Sequence, residues 1–188
     1  MSARGSVALM AMLTLAACMS VPLAPRDPTP FDLLGRALVT YSGGALTANL
    51  RWEHGAGQDQ IWLMTPTGQT LAHIVDSGSG AVLTRADQQQ YRAANVETLT
   101  RNALGWPLPL APLQYWVRGL PAPGAPPADV QRDVENRLTA LTQTGWRVAL
   151  EWHPSSGENA GRVRRVDLKD GTNEIRFVID TWRDARQP

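Results

Sequence analysis

Apolar residues recur at every second position from Leu34 onward, the spacing that sets one face of a β-strand against a core and the other against water. The clearest case is Leu46, Ala48, Leu50 and Trp52 alternating with Thr47, Asn49, Arg51 and Glu53. The same pattern predicts strands over 37–41, 60–64, 69–75 and 81–85. They are separated by Ser42-Gly43-Gly44, Gly55-Ala56-Gly57, Pro66-Thr67-Gly68 and Ser77-Gly78-Ser79-Gly80. Short strands joined by turns of this chemistry form an antiparallel meander.

The period then changes. Asn95 is placed to cap a helix over 96–104 that Gly105 stops, and 109–118 reads as a second short helix ended by Gly119 and Pro121. Between them runs Trp106-Pro107-Leu108-Pro109-Leu110, and after them the proline-rich 121–127, expected to be a surface loop. Strand periodicity returns over 138–142, 146–152, 163–168 and 174–182, with Trp146, Val148, Leu150 and Trp152 on one face. In the last of these, Ile175, Phe177 and Ile179 are expected on one face and Val178 and Trp182 on the other. A strand apolar on both faces closes a barrel around an apolar lumen or lies between two layers. With no internal repeat, the fold expected is a single mainly β domain over 31–188, an up-and-down barrel under a helical lid.

The N-terminus is different again. Arg4 precedes an apolar run over 7–15 and the small pair Ala16-Ala17, the charged, apolar and small-residue regions of a secretory signal peptide over 1–17. This run is too short for a transmembrane helix, which needs about 20 residues. Leu15-Ala16-Ala17-Cys18 reads as a bacterial lipobox, in which the thiol is diacylated and the chain cut before Cys18. As the single cysteine of the chain, Cys18 has no partner for an internal disulfide, and lipidation accounts for its presence. Residue 19 is Met rather than the Asp that retains lipoproteins at the inner membrane, which points to the outer membrane and a periplasm-facing body. Residues 18–30, with four prolines between Val21 and Pro30, are expected to be an extended tether.

Charge and chemistry mainly exclude. Lys and Arg total 18 against 17 Asp and Glu, and the surplus vanishes with Arg4, so nothing favours nucleic acid or a polybasic membrane patch. His54, His73 and His153 have no metal-site spacing and are read as polar strand residues; no metal or other cofactor is expected. Gly78-Ser79-Gly80 is a turn and not a nucleophile elbow. Asp167, Asp170 and Asp180 flank a hairpin, and neither a P-loop nor a dinucleotide fingerprint occurs, so no enzyme is expected. What stands out is seven tryptophans beside two phenylalanines, large apolar side chains of low entropic cost.

Several ordered motifs resemble the outer-membrane lipoprotein receptor family LolB. They are Phe31-Asp32-Leu33-Leu34-Gly35-Arg36, Asn49-Leu50-Arg51-Trp52, Thr65-Pro66-Thr67-Gly68, Leu104-Gly105-Trp106-Pro107-Leu108-Pro109-Leu110, the run from Leu113 to Pro121, Gly145-Trp146-Arg147-Val148 and Ile179-Asp180-Thr181-Trp182. The resemblance implies an unclosed antiparallel β-barrel with short helices over a hydrophobic cavity. It also implies a monomer that accepts acylated lipoproteins from the periplasmic carrier LolA and inserts their chains into the inner leaflet of the outer membrane, where its own anchor sits among phospholipids. Within that frame Leu50, Trp52, Trp116, Trp146 and Val148 are expected to line the cavity and Trp106, Leu108 and Leu110 to form the lid. Pro66, Thr67 and Gly68 are expected to face the membrane. Thr67 departs from the bulky apolar residue that the family carries there, so membrane insertion is expected either to rely on Pro66, Leu63 or Met64 or to be weaker. The alternative is another lipid-anchored β-barrel that binds a different lipid or serves envelope assembly.

Overall fold

A computed structural model describes residues 29–55 and 57–183; the expectations for the signal peptide, Cys18 and most of the tether lie outside them. The chain forms β1 (Phe31–Tyr41), β2 (Gly44–His54), β3 (Asp59–Met64), β4 (Thr70–Asp76), β5 (Ala81–Arg85) and β6 (Gln90–Ala93). Next come α1 (Val96–Leu104) and α2 (Leu110–Trp116), then β7 (Ala128–Arg132), β8 (Leu138–Gln143), β9 (Trp146–Trp152), β10 (Val163–Lys169) and β11 (Glu174–Arg183).

All eleven strands join one sheet in the order β6-β5-β4-β3-β2-β1-β11-β10-β9-β8-β7. Each half is a meander, and antiparallel pairing of β1 with β11 joins the halves. β6 and β7 are the sheet edges, so the barrel is unclosed. Register aligns the apolar faces: Leu33 opposes Trp52, Leu50 opposes Leu63, and Ile61 opposes Ile74. The inward residues of both halves merge with α1 and α2 into one core cluster.

Trp182 is not where strict alternation puts it. The β1–β11 register shifts between Leu34 and Gly35, whose partners are Thr181 and Ile179, leaving Asp180 as an extra residue. This bulge resets the pleat, so Trp182 joins Ile175, Phe177 and Ile179 in the core while Val178 stays half-buried outside. Gly35 permits the bulge: a Cβ there would lie 2.0 Å from the Val178 carbonyl oxygen.

Most strands lie within a residue or two of expectation, and four elements differ by more. β1 starts at Phe31, six residues before the predicted 37, because Asp32 interrupts the apolar pattern; Asp32 is buried on the outer face under Arg51, which donates to it at 3.1 Å. β6 and β7 were not predicted: β7 is exposed at every residue, and β6 is only four residues long, with Tyr91 and Ala93 half-buried against the core. α2 is shorter than the predicted 109–118, with Pro109 and Val117 as its caps. α1 is as predicted: Asn95 Oδ1 accepts from the Thr98 amide at 2.9 Å, and the helix packs on β5 and β6.

Candidate functional site

The inner face of β2 supplies Leu50 and Trp52, that of β9 supplies Trp146 and Val148, and α2 supplies Trp116. All five are buried and belong to one cluster, with Trp116 and Val148 fully enclosed. The structure thus brings the predicted cavity residues together in one buried apolar cluster.

Trp52, Trp116, Trp152 and Trp182 are held by their indole N–H as well as by packing. Trp52 donates to Asp59 Oδ1 at 2.7 Å, and the same oxygen meets His54 Nδ1 at 2.7 Å. Phe31 stacks on His54 at 4.7 Å and meets Trp52 edge-on at 4.9 Å. His54 and Asp59 are both buried and are cross-strand partners in the β2–β3 hairpin. Sequence reasoning read His54 as an ordinary strand residue and passed over Asp59; the available signal was their placement just outside Gly55 and Gln58, which bond across the turn and put them opposite one another.

Trp106, Leu108 and Leu110 are buried against the same cluster. Their loop is fixed where the Leu108 amide donates to Thr100 Oγ1 on α1 at 2.8 Å. Beyond α2 the chain is pinned twice. Gln143, at the end of β8, holds Trp116 and Ala122 through its carboxamide; the 121–127 loop is therefore partly interior, with Ala122 buried. Lower down, Gly119 has φ of +73° and a Cβ on it would lie 2.2 Å from the Trp152 ring, so only glycine lets the chain pass there. Trp152 itself donates to the Leu138 carbonyl at 2.8 Å.

Pro66, Thr67 and Gly68 form an exposed turn between β3 and β4. It is closed by the Thr65 amide donating to the Gln69 carbonyl at 2.8 Å, and the Thr67 and Thr65 hydroxyls bond at 2.8 Å. Pairing of Met64 with Asn49 and of Asn49 with Arg36 puts this turn toward the Tyr41 end of β1. Leu63 is a core residue opposite Leu50 and is not available to a membrane; Met64 is half-buried on the outer face. At the other end, beside Phe31, lies a pocket of about 310 Å³ whose walls include Val117, Arg118, Trp152, Arg162 and Trp182. Arg162 stands over the Trp182 ring at 5.5 Å. None of the five predicted cavity residues lines this pocket.

The carboxylates considered for catalysis have structural roles. Asp167 bonds Arg165 and Arg176, Asp170 accepts from the Thr172 and Asn173 amides in the β10–β11 turn, and Asp180 takes two bonds from Arg36. His73 stacks on Trp62 at 4.8 Å on the outer face and bonds Gln60 at 3.2 Å; burial pushes its pKa below the ordinary histidine value. Among the described residues no helix is long and apolar enough to cross a membrane.

Comparison with known proteins agrees with this architecture. The family model described as outer membrane lipoprotein LolB matches residues 29–182. The chain is 33% identical over 155 residues to a Nitrosomonas europaea protein, covering 82% of this chain and 73% of that one. It is 32% identical over 181 residues to one from Chromobacterium violaceum, covering 91% and 94%, and 36% identical over 169 residues to one from Thiobacillus denitrificans, covering 90% and 86%. All three relatives are named outer-membrane lipoprotein LolB. An unclosed eleven-stranded barrel with two short helices packed into one apolar core, matched over nearly all its described length, belongs to the LolB family.

Proposed function

We propose that this chain performs the LolB-family role of outer-membrane lipoprotein receptor by exchanging its own lumen side chains for the acyl chains of its cargo. The observation that carries this reading is the continuity of one apolar cluster from the barrel wall (Leu50, Trp52, Trp146, Val148) through Trp116 to the lid residues Trp106, Leu108 and Leu110. A wall that is apolar wherever the lid lifts offers acyl chains an unbroken surface.

Acyl chains in water cost about 0.8 kcal/mol per CH₂, so a lipoprotein anchor crossing the periplasm uncovered costs on the order of tens of kcal/mol. The lumen covers the chains after they leave LolA. Transfer runs down a gradient of affinity from carrier to receptor to bilayer, because only differential binding gives direction. The chain binds and releases and does no covalent chemistry. It works as a monomer held to outer-membrane phospholipid through lipid on Cys18, and the Pro66-Thr67-Gly68 turn, at the end of the barrel away from Phe31, meets the bilayer.

The test is transfer of a photo-crosslinkable lipoprotein from loaded LolA to this protein without ATP. Wild type is expected to take the cargo, and Trp52→Asp and Trp116→Asp to lose most of it. Full acceptance by both variants overturns the lumen assignment, and cargo that stays on a competent carrier overturns the receptor reading.

A further inference from the structure

The pocket beside Phe31, about 310 Å³, carries two guanidinium groups, Arg118 and Arg162, and no carboxylate among the described residues that line it. Arg118 follows α2 and Arg162 precedes β10, so the fold brings together cations from distant parts of the chain. The Arg162 guanidinium lies over the Trp182 ring at 5.5 Å and makes no ion pair among the described residues. Its neighbours Arg164 and Arg165 differ: both bond Glu151 on β9.

Much of the remaining wall is ring surface. Trp152 and Trp182 donate their indole N–H groups to the Leu138 and Val163 carbonyls at 2.8 Å and 2.9 Å, and Phe31 meets Trp182 edge-on at 5.7 Å. These rings therefore offer the pocket apolar area and no further donor. Guanidinium forks match the oxygens of a phosphate, and the rings suit an apolar substituent on it. The volume lies at the small end of ligand pockets, about 300–1,000 Å³, whereas a protein partner is met by an extended surface of about 800 Å². A zwitterionic ligand fits less well, since its ammonium group finds two cations and no carboxylate on the wall.

We infer that this pocket is a binding site for a phosphate ester, with Arg118 and Arg162 on the phosphate and the substituent against Trp152 and Trp182. Pro30 forms part of the wall, so the site stands where the tether from Cys18 joins the barrel. It is separate from the Pro66-Thr67-Gly68 turn, which lies at the opposite end. The nearest source of such a ligand is the headgroup of an anionic phospholipid in the leaflet that holds the anchor. That source rests on the anchor proposed above, and the phosphate site does not. Neither depends on the lumen, because none of the five lumen residues lines the pocket.

The experiment takes the lipidated protein in nanodiscs of phosphatidylcholine alone, or of phosphatidylcholine and phosphatidylglycerol in equal parts. It follows the rate at which phenylglyoxal modifies each arginine, read by mass spectrometry. Phosphatidylglycerol is expected to slow modification of Arg162 severalfold and to leave Arg164, paired with Glu151, unchanged. Arg118→Gln is expected to return Arg162 most of the way to its phosphatidylcholine rate, because both guanidiniums hold one phosphate; full protection of Arg162 in that variant overturns the shared hold. The wild-type rates decide the proposal even where Arg118→Gln does not fold. In phosphatidylcholine nanodiscs, millimolar inorganic phosphate or glycerol phosphate that protects Arg162 as strongly supports the site and overturns the bilayer as its source. Equal slowing of Arg162 and Arg164 is general attraction to an anionic surface and overturns the proposal, as does no protection by any of the three. Protection by LolA and by none of the phosphates makes the pocket part of a protein contact and overturns it too.

Discussion

Gly35 shows how a single residue sets the shape of the barrel. It has no side chain because the Asp180 bulge brings the Val178 carbonyl against it, and that bulge is what turns Trp182 inward. Gly35→Ala is expected to cost about 2 kcal/mol or more through overpacking against backbone that cannot yield, read as a lower denaturant midpoint. His73 behaves differently, as a titrating residue. Its folded pKa lies below the unfolded value because burial against Trp62 disfavours the imidazolium, so the unfolded chain takes up the proton first as pH falls. Stability is therefore full above about pH 6.5 and declines as pH drops through the lowered folded value. His73→Gln is expected to remove that component from a series of thermal melts between pH 8 and pH 5. The Trp52–Asp59–His54 contact was hidden in the sequence for a reason at this same scale. A histidine and an aspartate read as polar surface until the hairpin register puts both on the inward face.

At the scale of elements, what was legible followed burial. β5, β9 and α1 lie where periodicity and caps place them, because each has one apolar face and clear turn residues at its ends. β7 escaped because Ala128–Arg132 is exposed at every residue, and β6 because the two half-buried residues of Gln90–Ala93, Tyr91 and Ala93, make too short a pattern to read. The burial of Leu50, Trp52, Trp146 and Val148 was legible for the same reason that β2 and β9 were, whereas that of Gln143 was not, since a glutamine in a strand carries no sign that its bonds to Trp116 and Ala122 are met inside. The β3–β4 turn gives the prediction proper to this scale. Thr67 presents a hydroxyl already bonded to Thr65, a poor wedge for hydrocarbon. Thr67→Leu is expected to leave cargo acceptance from LolA unchanged and to speed transfer from this protein into liposomes severalfold, followed by loss of crosslinked cargo over time.

For the whole molecule, protection is graded by sheet position. β1, β2 and β11 occupy the middle of the sheet, where the two meanders join, while β6 and β7 each have one unpaired side. Native-state hydrogen exchange is expected to be slowest in β1, β2 and β11 and fastest in β7, with β6 intermediate because α1 packs on it. Uniform protection across all eleven strands would mean that the sheet opens only as one unit.

The same two free edges have a mechanical consequence. In a closed barrel, strand number and shear dictate the diameter, and the ring of hydrogen bonds resists any change of girth. Here, among the described residues, no ladder joins β6 to β7, so drawing these two edges apart breaks no backbone ladder. A sheet of this kind is a spring clip rather than a cup, able to change its girth where a closed barrel cannot.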